Sequence, residues 1–127
     1  MDLSGNQIEC VQFFKKQFPK LDYLNISFNR FSQIPNVECF PRLTQLLATD
    51  NQINEINTVT FLQLEFLKTL DISNNSIRVL PKELGLLPHL NFLGLSGNLF
   101  KSPSQGTIRK GTAAILQFLR QGIKNKD

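Results

Sequence analysis

His89 is the only histidine in the chain, so any general base at neutral pH would have to be built around it. It stands between Pro88 and Leu90, with no serine or cysteine assigned to it, and reads as an exposed turn residue. Cys10 and Cys39 are the two cysteines. One histidine and two scattered thiols cannot complete a four-ligand zinc site, and the thiols are expected to stay reduced. Asp2 and Asp71 fall in the same column of the repeats described below. They lie three rungs apart, about 14 Å at strand spacing, which is too far for a pair of hydrolytic carboxylates. Gly94, Gly97, Gly106 and Gly111 lack the spacing of a phosphate-cradling loop. The inventory predicts no enzymatic activity, no metal and no cofactor.

Composition narrows the alternatives further. The 127 residues include 41% hydrophobic side chains, enough for a folded core, and the net charge is +4. That charge is uneven: residues 1–100 hold eight Lys/Arg and nine Asp/Glu, whereas 101–127 hold six and one. The body lacks the continuous basic stripe that follows phosphates and the aromatics among basic residues that stack bases. No apolar run is long enough to span a membrane, and Met1-Asp2 does not open a secretion signal, so the expectation is a cytoplasmic protein. Asn25-Ile26-Ser27 and Asn74-Asn75-Ser76 spell glycosylation acceptors, and are read as accidental.

The elements that position these residues come from one pattern that recurs five times. Leu3-Ser-Gly-Asn6-Gln-Ile8 opens in mid-pattern. Four full copies follow: Leu21-x-x-Leu24-x-Ile26-x-x-Asn29-x-Phe31, Leu43-x-x-Leu46-x-Ala48-x-x-Asn51-x-Ile53, Leu67-x-x-Leu70-x-Ile72-x-x-Asn75-x-Ile77 and Leu90-x-x-Leu93-x-Leu95-x-x-Asn98-x-Phe100. The asparagines step by 23, 22, 24 and 23 residues. Alternation within each copy predicts a short strand, and one copy buries its apolar side only by stacking on the next, so the strands form a parallel sheet. Each asparagine marks the turn after a strand, where an amide can donate to and accept from backbone that would otherwise be buried unpaired. The expectation is a buried asparagine ladder.

Between strands, Ile77-x-x-Leu80-Pro81, Ile34-Pro35 and Phe40-Pro41 favour extended or 3₁₀ turns over long helices. The phenylalanines Phe13, Phe14, Phe18, Phe31, Phe40, Phe61, Phe66 and Phe100 are expected to fill the wedge between the strands and these return segments. After Asn98 the pattern stops. A helix is predicted over about 111–121, with Thr112 as its N-cap and Gly122 as its stop. The division is therefore repeats over 1–100 and a C-terminal cap with a basic tail over 101–127. At the other end the first strand is open, so further repeats preceding it are expected.

The repeat pattern resembles the leucine-rich repeat family over nearly the entire chain. Its ending, Asn98-Leu-Phe-Lys-Ser-Pro103 followed by Ile108-Arg-Lys-Gly111-Thr112 and Ile115-Leu116-x-Phe118-Leu119-Arg120, is similar to the C-terminal end of the intracellular type. The chain departs from the pattern at its opening and at Ala48, which takes the place of a strand leucine. The resemblance implies an α/β leucine-rich repeat solenoid with a parallel sheet on the concave face, an irregular or 3₁₀ convex side and a C-terminal capping helix. It also implies a protein-interaction scaffold without intrinsic activity.

Stacking the copies in register aligns side chains into columns across the concave face. One column reads Tyr23, Gln45, Thr69, Phe92; the next reads Asp2, Asn25, Leu47, Asp71, Gly94; a third reads Ser4, Ser27, Thr49, Ser73, Ser96. Beside them lie Gly5, Phe28, Asp50, Asn74 and Gly97. Exposed aromatic and apolar groups on a hydroxyl-rich sheet are what interface anchors look like. The predicted partner-binding set is Tyr23, Asn25, Gln45, Leu47, Thr49, Thr69, Asp71 and Phe92, for a protein partner. The alternative is a binder of nucleic acid or acidic surfaces through Lys101, Arg109, Lys110, Arg120, Lys124 and Lys126.

Overall fold

A computed structural model of the chain describes residues 1–124. Four strands, β1 (Tyr23–Asn25), β2 (Gln45–Leu47), β3 (Thr69–Asp71) and β4 (Phe92–Gly94), form one parallel sheet in sequence order. Each pairs residue for residue with the next, and Asp2 makes an isolated parallel bridge to Asn25 as an incipient first rung. The central residue of each strand, Leu24, Leu46, Leu70 and Leu93, is buried, while its two neighbours are half-buried or exposed. A three-residue strand thus places one side chain in the core and two on the open face.

The return segments are short, with Pro35, Pro41 and Pro81 punctuating two of them. They contain a 3₁₀ turn at Val37–Cys39, α1 (Thr58–Leu62) and a second 3₁₀ turn at Lys82–Leu86. Between them and the sheet runs a single core that includes Phe31, Phe40 and Phe61, all essentially inaccessible to solvent. Phe13 joins it, edge-on to Phe40 with ring centroids 4.7 Å apart. Not every phenylalanine fills the wedge: Phe14, Phe18 and Phe66 are exposed. Ala48, though small, is fully buried, and its carbonyl accepts from Asn75 Nδ2 at 2.9 Å.

The asparagines bind rungs together rather than only closing turns. Asn29, Asn51, Asn75 and Asn98 each accept an N–H from the preceding repeat, from Ile8, Phe31, Ile53 and Ile77 respectively at 2.9–3.1 Å. Each also donates from Nδ2 to a carbonyl of its own turn, at Ile26, Thr49, Ile72 and Leu95. Burial of the ladder is confined to Asn29, Asn51 and Asn75; Asn98 is half-buried and Asn6 exposed. Asn6 reaches only the Leu3 and Ser4 carbonyls of its own turn.

Two helices follow β4. α2 (Gln105–Arg109) is capped by Ser104, whose hydroxyl accepts from the Thr107 N–H, and is an element additional to the helix expected over 111–121. α3 (Thr112–Lys124) begins after Gly111 and runs through Gly122 instead of stopping there. Thr112 has a different task from the one expected. It is the first helical residue, and its Oγ1 accepts the Leu93 N–H of β4 at 3.0 Å, a donor that no further strand takes up among the described residues. α3 lies over the second 3₁₀ turn, with Arg120 Nε donating to the Gly85 carbonyl at 2.8 Å. Gly85 allows that approach: a Cβ there would stand 3.1 Å from Arg120 Cγ and 3.2 Å from Leu119 Cβ.

Candidate partner-binding face

Strand pairing places the columns side by side. Tyr23, Gln45, Thr69 and Phe92 are successive partners across the sheet, as are Asn25, Leu47, Asp71 and Gly94. Gln45 and Phe92 are exposed, whereas Tyr23, Asn25, Leu47, Thr69 and Asp71 are half-buried. The first column therefore offers an amide and a hydroxyl between two aromatic ends.

The second column is polar but internally committed. Asp71 Oδ1 accepts both the N–H and the hydroxyl of Ser73, at 3.1 and 2.7 Å. Asn25 Oδ1 accepts the Ser27 N–H at 2.9 Å. Asp2 repeats the arrangement on Ser4, at 2.9 and 2.6 Å, and these two bonds hold its carboxyl below the usual carboxylate range. Gly94 is part of the same device, because a Cβ there would run into Asp71 Oδ1. The third column is not uniformly open: Ser27 is buried, and its hydroxyl accepts the Thr49 N–H at 3.1 Å. Thr49 itself is half-buried.

The turn beside these columns holds a residue that the predicted set omits. Gly5, Phe28, Asp50, Asn74 and Gly97 all have positive φ, between 54° and 74°. Glycine, asparagine and aspartate tolerate this left-handed region; phenylalanine does so at a cost of about 1–2 kcal/mol. Phe28 adopts it with φ 57° and leaves its ring 63% exposed. An aromatic in a slot otherwise held by turn-forming residues was visible in the sequence, and only the backbone angle shows that it is strained.

His89 is exposed, and the described residues contain no group of three His, Cys, Asp or Glu able to hold a metal ion. Both cysteines are free thiols, Cys10 exposed and Cys39 buried. Of the basic residues of the C-terminal end, Arg120 donates to the Gly85 carbonyl, while Lys126 and the side chain of Lys124 lie outside the described residues. No helix among the described residues is long and apolar enough to cross a membrane.

Two family models, both described as leucine rich repeat, match residues 20–40 and 41–100. The chain belongs to the leucine-rich repeat family. Leucine-rich repeat-containing G-protein coupled receptor 5 of Rattus norvegicus is 33% identical over 104 residues, covering 80% of this chain and 12% of the receptor. MAP kinase phosphatase with leucine-rich repeats protein 3 of Dictyostelium discoideum is 26% identical over 99 residues, covering 75% of this chain and 11% of that protein. Among solved structures, the SNF/U2A′ complex of Drosophila melanogaster matches with a TM-score of 0.66 at 21% identity, over 81% of this chain and 60% of that one. The chain spans about a tenth of each of these two relatives. What a receptor and a phosphatase share with it is the repeats, so neither activity passes to this chain with the similarity.

Proposed function

We propose that this chain is a non-enzymatic interaction module of the intracellular type, in which residues 1–100 bind a protein partner and residues 101–127 close the stack. Leucine-rich repeats provide extended surfaces for protein–protein contact. The observation that carries the reading is the open sheet face itself. Tyr23, Asn25, Gln45, Leu47, Thr49, Thr69, Asp71 and Phe92 lie on or beside one continuous parallel sheet. The exposed, backbone-strained Phe28 stands at its margin. Strain retained at an exposed aromatic is what a binding anchor would justify and folding alone would not. The solved structure that shares this fold is that of a complex, SNF/U2A′, which is in keeping with an interaction role here.

The cytoplasm is the proposed location. The free Cys10 and Cys39 suit a reducing compartment, and the closing motif from Asn98 to Arg120 resembles leucine-rich repeat-containing protein forty.

Photo-crosslinking in cells tests the binding face. A photoreactive phenylalanine analogue placed at Gln45 or Thr69 should capture one discrete protein, and the same analogue at Phe66, exposed but outside the four strands, should not. Equal capture from both regions, or capture of RNA alone, would overturn the assignment.

A further inference from the structure

A second surface lies away from the open sheet face, at the C-terminal end of the stack. The segment after Asn75, the segment after Asn98 and the last turns of α3 converge on a groove of about 830 Å³. Three large apolar side chains, one from each segment, line it while exposed to solvent: Val79 at 73%, Leu99 at 48% and Phe118 at 40%. The buried Leu80 and Leu119 lie beneath them. Solvated apolar groups brought together in a concavity of this size are the mark of a ligand-binding depression rather than of scattered surface residues.

The rim has a sign. Among the described residues, Arg78, Lys82 and Lys101 border the groove with one carboxylate, Glu83, in a repeat body that carries slightly more acid than base over residues 1–100. Lys82 fits the role of a rim residue, since its aliphatic stem runs along α3, within 4 Å of where a Cβ on Gly122 would stand. Long basic side chains cover apolar surface with their stems and leave their charge at the water boundary. An apolar floor under a basic rim complements a chain segment that presents bulky apolar side chains among carboxylates. A bilayer fits worse, because the apolar groups line a depression instead of projecting from the surface.

We infer that this groove is a second docking site, which takes an acidic peptide segment of a protein partner carrying at least two large apolar side chains. Its occupancy is independent of the open sheet face.

Selection of a random-peptide phage library against the purified 127-residue chain tests the inference, with the enriched peptides then titrated by fluorescence anisotropy. Enriched peptides should combine two bulky apolar residues with several Asp or Glu. Their affinity should fall about tenfold in Lys82→Glu/Lys101→Glu, equivalent to about 1.4 kcal/mol, and weaken with salt. Val79→Asp, at a position too exposed to be needed for folding, should abolish binding, while Tyr23→Ala/Phe92→Ala should leave it unchanged. Enrichment of neutral or basic peptides overturns the proposal, as does binding indifferent to the Lys82, Lys101 and Val79 variants or lost with the sheet-face variant. So does the absence of any groove-directed peptide when Val79→Asp suppresses binding to phosphatidylserine-containing vesicles or self-association instead, since either would give the groove a different occupant.

Discussion

Replacing Asn51 by leucine should lower unfolding free energy by about 1–3 kcal/mol, and the structure shows which bond carries the loss. Asn51 makes three hydrogen bonds: Oδ1 accepts from Phe31 N at 3.0 Å, and Nδ2 donates to the Ile26 and Thr49 carbonyls at 3.0 and 3.1 Å. Both carbonyls keep another donor when the amide is removed, because Ile26 also accepts from Asn29 Nδ2 and Thr49 from the Phe28 N–H. Only the Phe31 N–H is orphaned. It is buried beneath a fully covered phenylalanine, and an unpaired buried donor costs about 1–3 kcal/mol. Leucine keeps asparagine's branching but ends in bulkier methyl groups, so no cavity forms and any overpacking adds to the loss. With a urea slope near ~1.5 kcal/mol/M, the denaturation midpoint followed by circular dichroism should drop by about 0.7–2 M. Asn6→Leu is the internal control: Asn6 is exposed and bonds only carbonyls of its own turn, so its replacement should stay within about 0.5 kcal/mol. An unchanged midpoint for Asn51→Leu, or equal losses at both positions, would refute the idea that the amides act as joints between repeats.

Other substitutions separate binding, capping and backbone effects. Phe28→Asn should raise stability by about 0.5–1 kcal/mol by relieving the left-handed backbone while weakening the protein partner; a loss of stability would mean that the ring packs usefully in the free chain. Tyr23→Ala/Phe92→Ala should reduce affinity for the crosslinked partner at least tenfold and change unfolding free energy by less than about 2 kcal/mol, read by titration and urea melts on the same preparation. Thr112→Val should cost about 1–3 kcal/mol by orphaning the Leu93 N–H and should speed amide exchange at Leu93 in particular. Gly122→Ala should stabilise by a few tenths to about 1 kcal/mol, because Gly122 is helical and a Cβ there meets only the Lys82 stem at ordinary contact distance. A helix that stopped at Gly122 would give the opposite sign.

The sheet was legible because its period is imposed twice on every repeat, once by the buried leucine and once by the asparagine. Shifting a strand by one residue would turn Leu24, Leu46, Leu70 or Leu93 to the open face and remove the amide from its carbonyls. Register, column membership and the asparagines' place in the ladder follow from those two constraints together. The cap obeys no such repetition. Nothing local in Thr112 announces that β4, 19 residues earlier in the chain, has an N–H to satisfy; its role exists only after the strand has been placed, and a threonine before an apolar helical stretch reads as an ordinary N-cap. Gly122 misled for a related reason. Glycine ends helices by preference, but the packing of α3 on the second 3₁₀ turn, with Arg120 bound to Gly85, outweighs a preference worth only about 1 kcal/mol.

The ladder also explains where the candidate sites had to arise. Side chains under its control are interchangeable between repeats: a leucine inward, an asparagine at the turn, a small hydroxyl or carboxylate bonded two residues ahead, as at Asp2 and Asp71. The inward leucine and the turn asparagine recur on every full rung, so they cannot distinguish one partner from another. Individuality is left to positions the ladder does not bind, and there the chain departs from its own pattern: phenylalanine in the left-handed slot at Phe28, aromatics at both ends of the first column at Tyr23 and Phe92, and exposed apolar groups where Val79, Leu99 and Phe118 meet. Phe28, Val79, Phe92, Leu99 and Phe118 set large apolar groups in water, where folding gains least from them. Under the two proposals above each cluster is a separate contact surface, so variants of one cluster should leave binding at the other intact.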